Sequence, residues 1–358
     1  MALVILAACD SGPSLIGVEE LSQEDSANTT SQHRIFIATT RVKSDDEGVF
    51  YSGDRAGRMG FASVDVSIPQ DRQKGELSLP RTPPVDPKKH FVLRNPLRLA
   101  DADAFTQEIN RELDARASDE KSAMIFIHGY NTNTTEAIAR FAQLVEDTGY
   151  RGVPILFTWP SSRRVADYVA DINSAAFSRD AVAYMPLLLA RTRLTNYDIV
   201  AHSMGNFLAM EAMRTLSLRG DVDRLGRLNT VVLAAPDIDV DLFAAQLASV
   251  PDPLRNRMIV LVSRDDKALL ASRRVAGNHP RLGAVDPAAI GELGVTVIDL
   301  TEIDDASSIN HSKFAESPEI VQLLGERLAD SDALSTQTSI GGLLLQRTGE
   351  VVSVTQVP

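Results

Sequence analysis

From Met124 onward, short apolar runs alternate with stretches of helical length. Met124-Ile125-Phe126-Ile127, Val153-Pro154-Ile155-Leu156-Phe157 and Tyr197-Asp198-Ile199-Val200-Ala201 read as strands, followed by 230–234, 258–262 and 295–298. Apolarity that is continuous rather than alternating marks strands buried on both faces. The first intervening segment carries Ala137, Ile138, Phe141 and Leu144 on one helical face. Further helices are expected around 174–191, 204–219, 240–249, 267–275 and 312–328. Repeated units of this kind predict an α/β fold with a mostly parallel central sheet and helices on both faces.

Ahead of this region, residues 35–39 form a β-rich run. Residues 61–68 alternate as a half-buried strand that Pro69 ends, and Phe91-Val92-Leu93 forms another. The Pro-, Lys- and Asp-rich stretch 69–90 is loop, and Phe105, Ile109 and Leu113 set a helical stripe over 101–116. The expected organisation is one domain over 33–330, preceded by a signal remnant and flexible tether at 1–32. A Ser/Thr/Gly-rich, weakly ordered tail follows at 331–358, with Leu343-Leu344-Leu345 able to dock on the body.

The single Cys excludes a disulfide scaffold and Cys-based zinc or iron–sulfur sites. With 36 Lys+Arg against 48 Asp+Glu, the net charge of −12 argues against a nucleic-acid partner. That lone Cys stands at position 9, behind Leu6-Ala7-Ala8, an order that resembles the lipobox of bacterial lipoproteins. The resemblance implies a membrane tether through lipidated Cys9. With Asp10 next, it implies retention at the periplasmic face of the inner membrane. No Lys or Arg precedes the apolar run, which departs from that pattern; if the segment is not a signal, the chain stays in the cytoplasm.

Three strand ends carry the chemistry. Ala201-His202-Ser203-Met204-Gly205 joins an expected strand to an expected helix, the setting of a nucleophile elbow, whose tight turn needs small residues on either side of the nucleophile. Ser203 is the candidate nucleophile; the alternative is a simple helix N-cap. The loop Ile127-His128-Gly129-Tyr130-Asn131 follows an earlier strand. In α/β-hydrolases such a loop supplies one oxyanion-hole N–H, and the residue after the nucleophile supplies the other. The donors would be Tyr130 and Met204, with His128 bracing the loop.

A serine hydroxyl needs a base, and the base an orienting acid. Only His279 and His311 follow Ser203. His311, between the last expected strand and helix, holds the catalytic position, whereas His279 belongs to an irregular loop. For the acid, Asp265, Asp266 and Asp237 all follow strands, where helix N-caps are also common.

The ordered motifs resemble an α/β-hydrolase family of unknown function, DUF900, grouped with esterases and lipases. They are Ala38-Thr39-Thr40-Arg41, Val66-Ser67-Ile68-Pro69, Phe126-Ile127-His128-Gly129-Tyr130-Asn131 and Phe157-Thr158-Trp159-Pro160-Ser161. Tyr168 with Asp171, Ala201-His202-Ser203-Met204-Gly205-Asn206, Ala235-Pro236-Asp237-Ile238-Asp239, Ser263-Arg264-Asp265-Asp266-Lys267-Ala268-Leu269 and His311 complete the series. The resemblance spans roughly 34–328. It implies the α/β-hydrolase fold, Asp266 as the acid and a serine hydrolase acting on small-molecule carboxylic esters.

No metal or organic cofactor is implied. An amidase or peptidase with the same triad is the alternative, and a non-catalytic envelope binding protein is a reading of another class. Trp159 is placed either in the substrate pocket or in the core. Tyr168, Asp171 and Arg179 form either a polar brace or a solvated helix face.

Overall fold

The apolar runs become strands, and their alternate residues serve two cores. The computed structural model describes residues 29–46, 48–80, 85–162, 165–303, 309–329, 339–340, 343–348 and 351–356. β1 (Thr29–Lys43), β2 (Tyr51–Pro69) and β3 (Val92–Leu99) form an antiparallel meander, and α1 (Ala102–Asp114) leads to β4 (Ala123–Ile127). Then come α2 (Thr134–Thr148), β5 (Val153–Thr158), α3 (Tyr168–Leu189), β6 (Tyr197–His202), α4 (Met204–Arg219) and β7 (Leu228–Ala234). α5 (Val240–Leu247), α6 (Asp252–Arg255), β8 (Met258–Val262), α7 (Lys267–Val275), α8 (Pro287–Gly291) and β9 (Thr296–Asp299) follow. α9 (Lys313–Glu316), α10 (Pro318–Ala329), β10 (Ser339–Ile340), β11 (Leu343–Thr348) and β12 (Val351–Gln356) complete the described elements.

These strands make one sheet in the order β10-β11-β12-β9-β8-β7-β6-β4-β5-β1-β2-β3. From β12 to β1 every pairing is parallel. Ile125 and Ile127 of β4 pack into one core with Phe157, Ala201, Leu233 and Val260. Met124 and Phe126 pack into the opposite core with Leu156, Val200, Val232 and Ile259. Period-two alternation between two buried faces is why these strands read as unbroken apolar runs. The chain runs from β4 to β5 on one side, then crosses to β6 on the other. The reversal opens a crevice beyond the carboxyl ends of β4 and β6, where open α/β sheets bind ligands.

Three expectations change. β1 starts at Thr29, so Thr29, Ser31 and Gln32 of the expected tether already pair with β2, whose alternating residues offer a long edge. The helix expected over 312–328 is two helices, because Pro318 has no N–H to continue α9 and instead starts α10. The tail is the largest correction. β11 and β12 form a hairpin, and β12 pairs parallel with β9, with Val352 beside Ile298 and only 2% exposed. Valines at 351, 352 and 354 outweigh the polar composition around them, and the strand covers an edge that β9 would otherwise leave open. Residues 295–298 are therefore not the last strand. Cys9 and the rest of 1–28 lie outside the described residues, and among those described no helix is long and apolar enough to cross a membrane.

Candidate active site

Ser203 sits where β6 hands over to α4, with φ 53° and ψ −125°. A left-handed φ on a residue with a side chain stores strain, and such a residue persists only when its surroundings over-determine it. Here Ser203 N–H donates to Ala234 O at 3.0 Å. Ser203 O accepts from Asn206 N, Asp237 N and Asn206 Nδ2. Asn206, fully buried, also donates to Ala234 O at 2.8 Å, stitching the elbow to β7. Glycine is required on both sides of the crevice. A methyl on Gly205 would lie 2.4 Å from His128 O, and one on Gly129 would lie 2.8 Å from Ser203 Cβ. The two loops thus touch with no room for a side chain between them.

Met204 N–H is the first amide of α4, where a helix offers no acceptor of its own. Tyr130 follows Gly129 on the facing loop, next to the left-handed Asn131. Both expected oxyanion donors therefore belong to backbone that borders Ser203. The Tyr130 phenol is pushed up to about 12 by burial, and its ring meets Tyr168 edge-on at 5.4 Å.

His311 and Asp266 come together. His311 Nδ1 lies 2.7 Å from Asp266 Oδ2, and Asp266 is fully buried. Asp266 Oδ1 accepts from Leu269 N at 3.0 Å and so caps α7. One carboxylate thus faces His311 and caps the helix at once, one oxygen for each. Asp237 is occupied elsewhere: it accepts from Tyr168 Oη at 2.8 Å and Ser272 Oγ at 2.7 Å, and pairs ionically with Arg281 Nε at 3.0 Å. His279 is an exposed side chain near Asp239. Ser203 Oγ makes no hydrogen bond to His311 Nε2 among the described residues. Such catalytic contacts commonly tighten only around bound substrate. What links the two loops is His202, whose Nε2 reaches His311 O at 3.2 Å while the two imidazoles meet tilted, 48° apart, with centroids 4.8 Å apart. Burial, with His311 adjacent, holds His202 well below the ordinary imidazole range, so it stays neutral.

Sequence alone missed the clamp on the His311 loop. Lys313, 3% exposed, donates to both oxygens of Asp265 and to Leu300 O and Thr301 O. Asn310 Nδ2 donates to Asp265 Oδ2 at 2.6 Å. Burial alone would raise the Asp265 carboxyl, but Ser263 and Lys313 hold it below the usual range. The signal available was a Lys two residues past His311 and an Asp one before Asp266.

His128 braces its loop as expected. Nδ1 bonds Gly129 O at 2.8 Å, and burial pushes the ring down to about 3. Trp159 is core rather than pocket lining: it is fully buried, stacks on His128 at 5.3 Å, and donates its indole N–H to His128 O. Asp171 is buried and accepts from Ser161 Oγ and Ser162 N, and Tyr168 binds Asp237, so both are braces; Arg179 is on the exposed face of α3. A polar recess of about 510 Å³ opens at the other end of the sheet, but its charges neutralise one another, Arg34 with Asp65 and Arg116 with Glu112. Among the described residues no group of three or more His, Cys, Asp or Glu side chains is placed to hold a metal ion.

A family model described as an α/β hydrolase of unknown function (DUF900) matches residues 101–327, leaving the Ala38–Arg41 and Val66–Pro69 motifs outside the match. Solved structures that the chain is similar to include an esterase of Rhizomucor miehei, at 12% identity and TM-score 0.37 over 87% of this chain and 88% of that one. Another is the esterase of Pyrobaculum calidifontis, at 11% identity and TM-score 0.37 over 86% and 88%. The phospholipase PlaB of Legionella pneumophila is similar at 12% identity and TM-score 0.33 over 66% and 67%. Comparison with curated proteins found no match. With more than half of its residues matched, and with the strand order and elbow described above, the chain belongs to the DUF900 family of α/β hydrolases.

Proposed function

We propose that this protein is a serine hydrolase of small-molecule carboxylic esters, with Ser203, His311 and Asp266 as its triad. The observation that carries the reading is the 2.7 Å contact of His311 Nδ1 with fully buried Asp266, beside a serine held at a left-handed elbow.

In this reading Ser203 Oγ attacks the ester carbonyl carbon while His311 Nε2 takes the hydroxyl proton. The carbonyl oxygen becomes an oxyanion, stabilised by the N–H groups of Tyr130 and Met204. The intermediate collapses, the C–O bond to the alcohol breaks, and His311 returns its proton to the leaving oxygen. A water, activated by the same imidazole, then releases the acid and regenerates Ser203. Asp266 fixes the Nδ1–H tautomer and compensates the imidazolium charge.

Ser203→Ala tests this. Turnover of a chromogenic short-chain ester should vanish while the thermal transition persists, and a fluorophosphonate should label Ser203 only in the parent. Retained turnover in the variant would sink the assignment. Tethering through Cys9 belongs to the same proposal, and mass spectrometry of the N-terminal peptide for a diacylglyceryl adduct tests it.

A further inference from the structure

Arg41, near the end of β1, is only 2% exposed, yet among the described residues it pairs with no carboxylate. Its guanidinium is spent on neutral acceptors. Nε donates to Thr158 Oγ1 at 2.8 Å, Nη1 to Ser52 O at 3.1 Å and Ser161 O at 3.3 Å, and Nη2 to Thr132 O at 2.7 Å. Burying a cation with no carboxylate in direct contact is costly, and the cost shows as a guanidinium pushed down to about 9 by burial, against the more distant pull of Asp171 and Glu136. A well-packed apolar side chain would fill the space without it.

The acceptors say what the charge does. Thr158 Oγ1 takes a hydrogen from Arg41, so its own hydroxyl hydrogen is left for His128 Nε2, 3.0 Å away. Trp159 N–H also points at Nε2, at 3.2 Å. With Nε2 an acceptor and the buried ring neutral, the proton sits on Nδ1 and is donated to Gly129 O. A peptide unit is planar and trans, so its C=O and N–H point in opposite directions. Fixing Gly129 O on one side aims the next amide, Tyr130 N–H, to the other. Arg41 Nη2 meanwhile holds Thr132 O, two residues further along the same loop.

We propose that Arg41 is a positioning residue for the oxyanion hole: through Thr158 and His128 it orients the Gly129–Tyr130 peptide, and through Thr132 it anchors the loop beyond. The proposal rests on Ser203 being the nucleophile and Tyr130 N–H an oxyanion donor. It draws β1, which lies outside the matched family region, into the catalytic machinery.

Thr158→Val, Thr158→Ser, Arg41→Lys and Ser203→Ala test it. The Val variant keeps the volume but cuts the relay, and Ser restores the hydroxyl. Thr158→Val should lower kcat about tenfold or more with KM unchanged, since a mis-aimed donor costs part of what a deleted one does. Affinity for a trifluoromethyl ketone, which places an oxyanion in the hole, should fall by the same factor. Thr158→Ser should recover both, and Arg41→Lys should be intermediate. The proposal is overturned if Thr158→Val and Arg41→Lys are folded and keep parental kcat and inhibitor affinity while Ser203→Ala is inactive. Nitrogen-15 NMR of the parent, labelled at histidine, decides independently of activity. His128 should carry its proton on Nδ1, and a proton on Nε2 would refute the relay. If Ser203→Ala stays active, the ester-hydrolase reading fails and the tautomer still tests the relay.

Discussion

His311 Nδ1 rests 2.7 Å from Asp266 Oδ2, while the other oxygen of that carboxylate caps the helix that begins one residue later. Orientation of the His311 ring and the start of α7 thus depend on one buried side chain.

Asp266→Asn separates the two duties. The amide oxygen can still accept from Leu269 N, so stability should change little. The amide cannot hold an Nδ1–H imidazole or balance its charge, so kcat should fall about a thousandfold or more. Asp266→Ala should lose about 1 kcal/mol more in denaturant melts through the missing cap. Asp237→Asn is the control. It leaves Arg281, 7% exposed, without its counter-charge, and should cost stability more than turnover. Equal rate losses in the two Asn variants would argue against Asp266 as the acid.

Lys313 acts on the same loop from the other side. Lys313→Met removes the donor to Asp265, Leu300 O and Thr301 O. Asp265 is partly solvated, so the loss is discounted to about 2 kcal/mol, below that for a fully buried pair. Because Asn310 and Asp265 lose their anchor together, kcat should also drop. Chemical denaturation and steady-state kinetics on one preparation check both; a variant with parental stability and kcat would show the clamp to be idle.

Most of the frame was legible because its signals are local. Unbroken apolar runs mark strands buried on two faces, and Ala201-His202-Ser203-Met204-Gly205 places the elbow through the steric demand of one turn. Which carboxylate meets His311 was legible only through the resemblance, not from the residues themselves. Asp237 and Asp266 both follow a strand, and the fold brings one carboxylate to His311 while the other is consumed by Tyr168, Ser272 and Arg281. Arg41 was hidden for the same reason, since its partners lie 11 to 120 residues away in sequence. In the tail only Leu343-Leu344-Leu345, now in β11, signalled docking; the pairing of β12 with β9 is a tertiary fact that composition does not carry.

Gly205→Ala probes the contact between the two loops. The added methyl would press on His128 O at 2.4 Å and Ile127 O at 2.6 Å, both rigid backbone. Overpacking of this kind should cost about 2–3 kcal/mol and push the oxyanion loop away from Ser203. Turnover should therefore fall beyond what the loss of folded protein explains. Gly226→Ala, where nothing lies within 4 Å but φ is +62°, should show the backbone penalty alone with kcat intact. If both variants kept parental kcat, the close approach of the loops would not matter to catalysis.

Two desolvated imidazoles make stability depend on pH with a definite sign. Burial, with the Arg41 charge adding, pushes His128 from 6.5 to about 3, and burial with His311 nearby holds His202 well below 6.5. Both are neutral when folded and titrate normally when unfolded. Between pH about 6.5 and about 3 the unfolded chain binds more protons, so stability must fall as the pH falls through that window. Each imidazole contributes about 1.4 kcal/mol per pH unit while only its unfolded form is protonated, and neither contributes above about pH 6.5. Urea midpoints measured from about pH 8 to about pH 4 should be flat at first and then decline. His202→Phe, which cannot be protonated, should have a shallower decline than the parent; because carboxylates titrate alike in both proteins, the difference isolates the imidazole. Identical slopes would mean that His202 is protonated in the folded protein, and its bond to His311 O would then have to be made by a cation.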